Sequence, residues 1–356
     1  ALLLPFVDAV WQIYLLIFVL QSASAVFTPT FQATIPDILP DEEEYTKALS
    51  LSRMAYDLES LVSPVLAAAL LVTISFHWLF AGTAIGFVVS AMLVVSAALP
   101  HRKSLAKRVE GVWRKTTRGM RVYLKTPRLV GLLAVTLAVA AGSAMVIVNT
   151  VVIVKNMGRS EGDVALALAA YGAGSMLAAL ALPRILTGVK DRTVMIFGAA
   201  LLVATLAAIG LVFGQLGTQP LWPFLLVGWL AMGIGYSLCV TPSGRLLKRS
   251  SADEDRPALF AAQFALSHVC WLVAYPMAGQ IGARFGMTPT FLVLAALGIL
   301  GVGLTLWLWP RKDPSMLYHT HPELPSDHPH LQEHGSDGHR HHFVIDDLHV
   351  GWPGKV

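Results

Sequence analysis

Nine stretches of this chain, at 10–29, 54–74, 78–99, 129–153, 162–183, 193–214, 220–241, 257–282 and 288–309, run apolar with few interruptions. At about 1.5 Å of rise per residue, a helix of roughly 20 residues crosses the roughly 30 Å hydrocarbon core of a bilayer. The sequence therefore predicts an all-α membrane protein with nine complete transmembrane helices. The longer runs permit tilt without fixing an angle. Charge usage agrees, because only 13% of residues are charged, about half the share of an ordinary soluble domain.

Several function classes drop out. The net charge of +4 does not point to nucleic acid, because the cations cluster beside the apolar runs, where membrane topology accounts for them. Cys239 and Cys270 both lie inside apolar runs and read as reduced core thiols rather than a disulfide or zinc framework. The chain has no glycine-rich phosphate loop, nucleophile elbow or HExxH motif, so it is not expected to be an enzyme.

The cations also orient the spans. Residues 101–128, "HRKSLAKRVEGVWRKTTRGMRVYLKTPR", carry ten Lys and Arg, and every second connection after them is basic: "PRILTGVKDR", "SGRLLKRSSADEDR" and "PRKD". These sides are expected to face the cytoplasm, together with everything after residue 310. Nine crossings counted back from there place the start outside. Six spans follow the basic loop and three precede it. If that loop joins two equivalent halves, three further helices are expected upstream. The expected organisation is the remainder of an N-terminal helix bundle over 1–100, a basic central loop over 101–128, a six-helix bundle over 129–310 and a disordered tail over 311–356.

Ionisable residues inside a span are expensive and are functional candidates by default. Asp57 lies four residues after Arg53, so the two share a helix face and can pair. Glu59 points about 200° away around the helix and has no local basic partner; it is either a proton-exchanging carboxylate or an acid favoured by a helix N-terminus. In "FAAQFALSHVCWLVAYP", Gln263 belongs to one polar face and His268 to a neighbouring face with Phe264, Trp271 and Tyr275. His268 can titrate or bind metal, though a histidine among aromatics is more often hydrogen-bonded packing. Gln21 begins a polar stripe along the first span, and Asn149 lies deep in "MVIVNTVV". Both either contact substrate or bridge helices.

After the last span comes "HTHPELPSDHPHLQEHGSDGHRHH", residues 319–342, which holds eight of the twelve histidines of the chain. Pro322, Pro325, Pro329, Gly335 and Gly338 interrupt it, and few apolar residues remain to build a core, so an extended, mobile segment is expected. His319, His321, His328, His330, His334, His339, His341 and His342, with interspersed carboxylates, form a ligand set suited to nickel, zinc, cobalt or copper. No resident cofactor is otherwise required.

Three stretches resemble the major facilitator superfamily, specifically its multidrug and metal efflux branch. "SAVFTPTFQATIPDILPDEEEYTKALSLSR" (24–53) is similar to the segment after that branch's fourth helix, and "YGAGSMLAALALPRI" (171–185) to its glycine-rich eighth helix. "ESLVSPVLAA" (59–68) stands where antiporters of the family carry a Gly-Pro motif; Pro64 is kept and Ser63 replaces the glycine. Gly188, Asp191 and Arg192 in "GVKDR" resemble the family's cytoplasmic Gly-Asp-Arg signature, one residue short. The histidine tail resembles those of nickel-resistance members. The resemblance implies a major facilitator fold of two pseudo-symmetric bundles in a bacterial inner membrane, monomeric and proton-coupled. Transport would be by alternating access, with a metal ion or a small organic compound as cargo. A membrane-bound metal sensor that transports nothing is the remaining alternative.

Overall fold

The computed structural model describes residues 3–97, 112–322, 324–325, 327–335 and 338–353, apart from the side chains at 61, 64, 65, 68, 114–116, 112 and 218. Most of the basic loop before residue 112 thus lies outside the described residues, as does the side chain of Pro64. Among the described residues eleven α-helices precede the tail: α1 (Val10–Ile38), α2 (Glu42–Leu71), α3 (Phe76–Ser96), α4 (Val112–Lys125), α5 (Pro127–Asn156), α6 (Glu161–Gly188), α7 (Asp191–Phe213), α8 (Thr218–Val240), α9 (Ser243–Arg249), α10 (Arg256–Phe285) and α11 (Met287–Leu308). Among the described residues, eight helices are long and apolar enough to cross a membrane, and eight of the nine expected spans fall on them. The remaining one, 54–74, falls on the distal part of α2, where several side chains lie outside the described residues.

Local chemistry sets several helix starts. Asp41 caps α2 by accepting from the N–H groups of Glu43 at 3.0 Å and Glu44 at 2.9 Å, and the three glutamates of the first turn suit the positive end of the helix dipole. Ser160 and Asp163 form a reciprocal capping box at the start of α6. Thr126 precedes Pro127, whose missing N–H is harmless at the first helical position of α5.

The core lies in α5–α11. Helix α5 runs through its centre and packs against α10 and α11, while α6 packs on α8 and α7 on α8 and α11. Small residues bring α6 and α8 into backbone contact. A Cβ on Gly233 would lie 1.9 Å from the Tyr171 carbonyl oxygen, and one on Gly174 would lie 2.0 Å from that of Leu230. Such close approach is how helices associate where lipid removes the hydrophobic drive between them. Helix α2 packs on α6 and α1 on α10, while the apolar windows of α1 and α3 bury nothing inside the molecule. That surface suits hydrocarbon.

The tail departs from expectation. Instead of an extended chain it folds into an antiparallel pair, β1 (Met316–His319) and β2 (His339–His342), with a short helix α12 (Pro329–His334) between them. Leu331, Phe343 and Ile345 are buried, and Ile345 joins the core of the helical body. A few apolar anchors on an existing surface suffice to order a segment that could not build a core alone.

Candidate functional site

Strand pairing aligns Met316 with His342, Leu317 with His341, Tyr318 with Arg340 and His319 with His339. Because successive strand residues point to opposite faces, Leu317, His319, His339 and His341 share the covered face, while Met316, Tyr318, Arg340 and His342 are exposed on the other. Helix α12 supplies His330, the preceding loop His321, and the turn after β2 His349. One nitrogen from each of His319, His321, His330 and His339 lies within 4.8 Å of the others, and the same holds for His319, His330, His341 and His349. Two overlapping imidazole quartets therefore share His319 and His330.

The outer nitrogens are anchored. His319 Nδ1 donates to the Leu317 carbonyl at 3.1 Å, His339 Nδ1 to that of Gly335 at 3.0 Å and His341 Nδ1 to that of His342 at 2.9 Å. His349 Nδ1 donates to Asp346 Oδ1 at 2.9 Å. Carbonyls and carboxylates only accept, so these partners fix the hydrogen on Nδ1 and leave a lone pair on each Nε2. This is the outer-shell arrangement that orients histidine toward a metal. The Nε2 atoms of His319 and His349 then face each other at 3.0 Å, and two lone pairs at that distance repel unless a cation lies between them. The Nε2 of His341 is buried with no hydrogen-bond partner among the described residues.

A proton is a poor candidate for that cation at neutral pH. Burial lowers His319 to about 4, and burial followed by the neighbouring imidazoles lowers His330 to about 4. A divalent ion fits better. Metal–nitrogen bonds of about 2.0–2.1 Å place neighbouring ligand nitrogens roughly 3 Å apart, the spacing seen for His319 with His349 and for His330 with His339, each at 3.0 Å. Neutral imidazoles without thiolate suit nickel, zinc, cobalt or copper(II).

Three of the eight expected tail ligands do not join the quartets. His328 is the N-cap of α12, its Nδ1 accepting from the His330 N–H at 3.2 Å. His342 is exposed on the opposite face. His334 stacks at 4.7 Å from His341, beside the quartets rather than in them. His349, a member of the second quartet, stands outside the histidine-rich run and so escapes a reading by composition. The acids just before it, Asp346 and Asp347, are the signal that was available.

Residues singled out within the helices occupy separate places. Arg53 binds Asp57 through Nε at 3.0 Å and through Nη2, and its Nη1 donates to Tyr236 Oη at 3.3 Å. Glu59 lines an open pocket with Arg53, Tyr56, Ser60 and Ser63, and Gln21 is exposed. Asn149 bridges helices by donating to the Ala278 carbonyl at 3.1 Å. Gln263 accepts from Tyr123 Oη. His268 is exposed, its Nδ1 2.7 Å from the Phe264 carbonyl and its ring against Phe264. Gly188, Asp191 and Arg192 line a cleft of about 290 Å³ with Arg245, Arg249 and Asp313; Asp191 lies 2.9 Å from Arg245 Nε, and Arg192 Nε donates to the Trp309 carbonyl at 3.2 Å. Cys239 and Cys270 are buried free thiols.

At this end of the bundle ion pairs tie the first helices to the rest. Arg256 binds Asp37 and Asp253, Arg245 reaches Glu42 at 2.6 Å, and Lys248 Nζ donates to the Pro40 carbonyl at 2.6 Å.

A family model described as Major Facilitator Superfamily matches residues 1–154 and 130–326. No curated protein matches the chain.

Proposed function

Since the chain belongs to the major facilitator superfamily, a family of membrane-embedded secondary transporters, we propose that it exports a divalent transition-metal cation in exchange for protons by alternating access. The observation that carries this reading is the convergence of six imidazoles, four of which, His319, His339, His341 and His349, have their outer nitrogens already anchored. The folded tail concentrates the ion at the basic end of the bundle, which the positive-inside rule assigns to the cytoplasm of a bacterial inner membrane. The two groups of helices then rock about a site between them. Glu59, in the open pocket beside the Arg53–Asp57 pair, is the proposed proton carrier. Expelling a divalent ion against an inside-negative potential costs about 4.6 kcal/mol per 100 mV, twice the single-charge value. Two protons inward per ion make the exchange electroneutral.

One observation favours a second reading. The imidazoles all lie beyond the last span, separate from the pocket at Glu59, which fits an exporter of organic compounds whose tail buffers metal. Proteoliposomes loaded with nickel or zinc decide between them. Metal flux driven by a proton gradient, and lost in Glu59→Gln, is expected. Proton-driven movement of an organic cation with no metal flux would establish the second reading instead.

A further inference from the structure

The four residues from Asp346 to His349 form a tight turn. The Asp346 N–H donates to the His349 carbonyl at 3.2 Å, and Asp346 Oδ1 accepts from the N–H groups of Leu348 at 2.8 Å and His349 at 2.7 Å. The two faces of this turn do different things. Inward, His349 presents its Nε2 to the second imidazole quartet. Outward, Asp347 accepts from Arg118 Nη1 at 2.8 Å. Around that contact the same segment grips the helical body twice more: Lys125 Nζ donates to the Val350 carbonyl at 2.8 Å, and the Arg128 guanidinium sits 4.9 Å over the Trp352 ring.

Arg118 is itself embedded in the helical body. Its Nε and Nη2 donate to Asp255 at 2.5 and 3.0 Å, next to Arg256, which holds Asp37 of α1. The neighbouring Gly119 lies so close to α10 that a Cβ there would sit 2.0 Å from the Ala258 carbonyl oxygen, so α4 packs directly against the first turn of α10. A continuous set of contacts thus runs from the turn that carries His349 through Asp347 and Arg118 to Asp255 at the start of α10.

We propose that the turn at 346–349 is a metal-dependent clasp: an ion held by His319, His330, His341 and His349 fixes the turn against Arg118 of α4 and so strengthens the contact between α4, α10 and α1. The proposal rests on the histidine cluster being a metal site, and it makes that site a regulator of the helical body as well as a collector. Linkage makes the effect reciprocal. If metal tightens the clasp, loosening the clasp must weaken metal binding, although neither Arg118 nor Asp347 is a ligand. An ion held by the first quartet alone, which lacks His349, leaves the turn unfixed.

The test uses the full chain in lipid nanodiscs with zinc and nickel. Asp347→Asn, an exposed and nearly isosteric change, and Arg118→Gln are each expected to weaken metal affinity about fivefold or more, measured by competition with a chromophoric chelator. In the parent protein, metal is expected to slow hydrogen exchange over 113–125 and 255–260. In His349→Ala, residual binding through the first quartet is expected without that slowing. Unchanged affinity in both clasp variants, or exchange in α4 that ignores metal, would overturn the clasp while leaving the metal site standing. A parent protein that binds neither ion would overturn the site and the clasp together.

Discussion

His328 and His349 depart from the sequence pattern in opposite senses. His328 belongs to the histidine-rich run yet spends its Nδ1 capping α12, whereas His349 stands seven residues beyond the run and is buried among the converging rings. His349→Ala is therefore expected to weaken metal binding at least about tenfold, the scale of a lost ligand or its orienting partner. His328→Asn, which keeps a capping side chain, is expected to leave metal binding within about twofold, both read by isothermal titration. The pH dependence follows from the same rings. His319 and His330 fall to about 4 in the folded tail, against about 6.5 in an unfolded chain. Between those values the unfolded segment binds more protons, so the stability of the folded tail rises with pH and is lost as pH falls from about 6.5 toward 4. Tryptophan fluorescence of Trp352, with the other tryptophans replaced by phenylalanine, is expected to report undocking over that window in metal-free protein. Hydrogen-bond anchoring of Nδ1 depends on strand register and turn geometry, which residue spacing does not reveal; the sequence shows a metal-prone composition but not which rings meet.

Apolar runs reveal helices because crossing hydrocarbon demands length and hydropathy, and the eight helices that meet that demand coincide with runs visible in the sequence. Packing between them is less legible, since a glycine in an apolar helix looks alike whether it faces lipid or another backbone. Gly233 and Gly279 show the difference. A Cβ on Gly233 would meet the Tyr171 carbonyl oxygen at 1.9 Å, whereas one on Gly279 would meet only a Val148 methyl at 3.7 Å. Gly233→Ala is expected to destabilise by about 1–3 kcal/mol through overpacking against backbone that cannot yield. Gly279→Ala is expected to be neutral or slightly stabilising, through the better helix propensity of alanine. Thermal unfolding of the two variants in the same detergent separates them. The fold of the tail was hidden for a related reason: Leu331, Phe343 and Ile345 are too few to announce a core, and Ile345 becomes buried only against the helical body.

The whole molecule is tied shut at its basic end, where cations of α9 and α10 reach groups of the first two helices: Arg256 to Asp37, Arg245 to Glu42 and to Thr46 Oγ1, and Lys248 to the carbonyls before α2. In the alternating access proposed above this end must open, so these contacts would hold one of its two states. Several are partly exposed: the Glu42 side chain is 68% accessible, and pairs of that kind contribute little individually. Arg245 differs, because it reaches Glu42, Thr46 and Asp191 from a largely buried position, where removing one partner leaves uncompensated charge. Ser50 lies one turn beyond Thr46 on α2 and is buried, which makes it a reporter of opening. With Cys239 and Cys270 replaced by alanine, Ser50→Cys is expected to react slowly with a hydrophilic maleimide, and at least several-fold faster when Arg245→Gln is added. Glu42→Gln, which removes only the exposed partner, is expected to change the rate by less than about twofold. Equal acceleration by both substitutions would place the closure in the sum of surface charges rather than in the buried arginine.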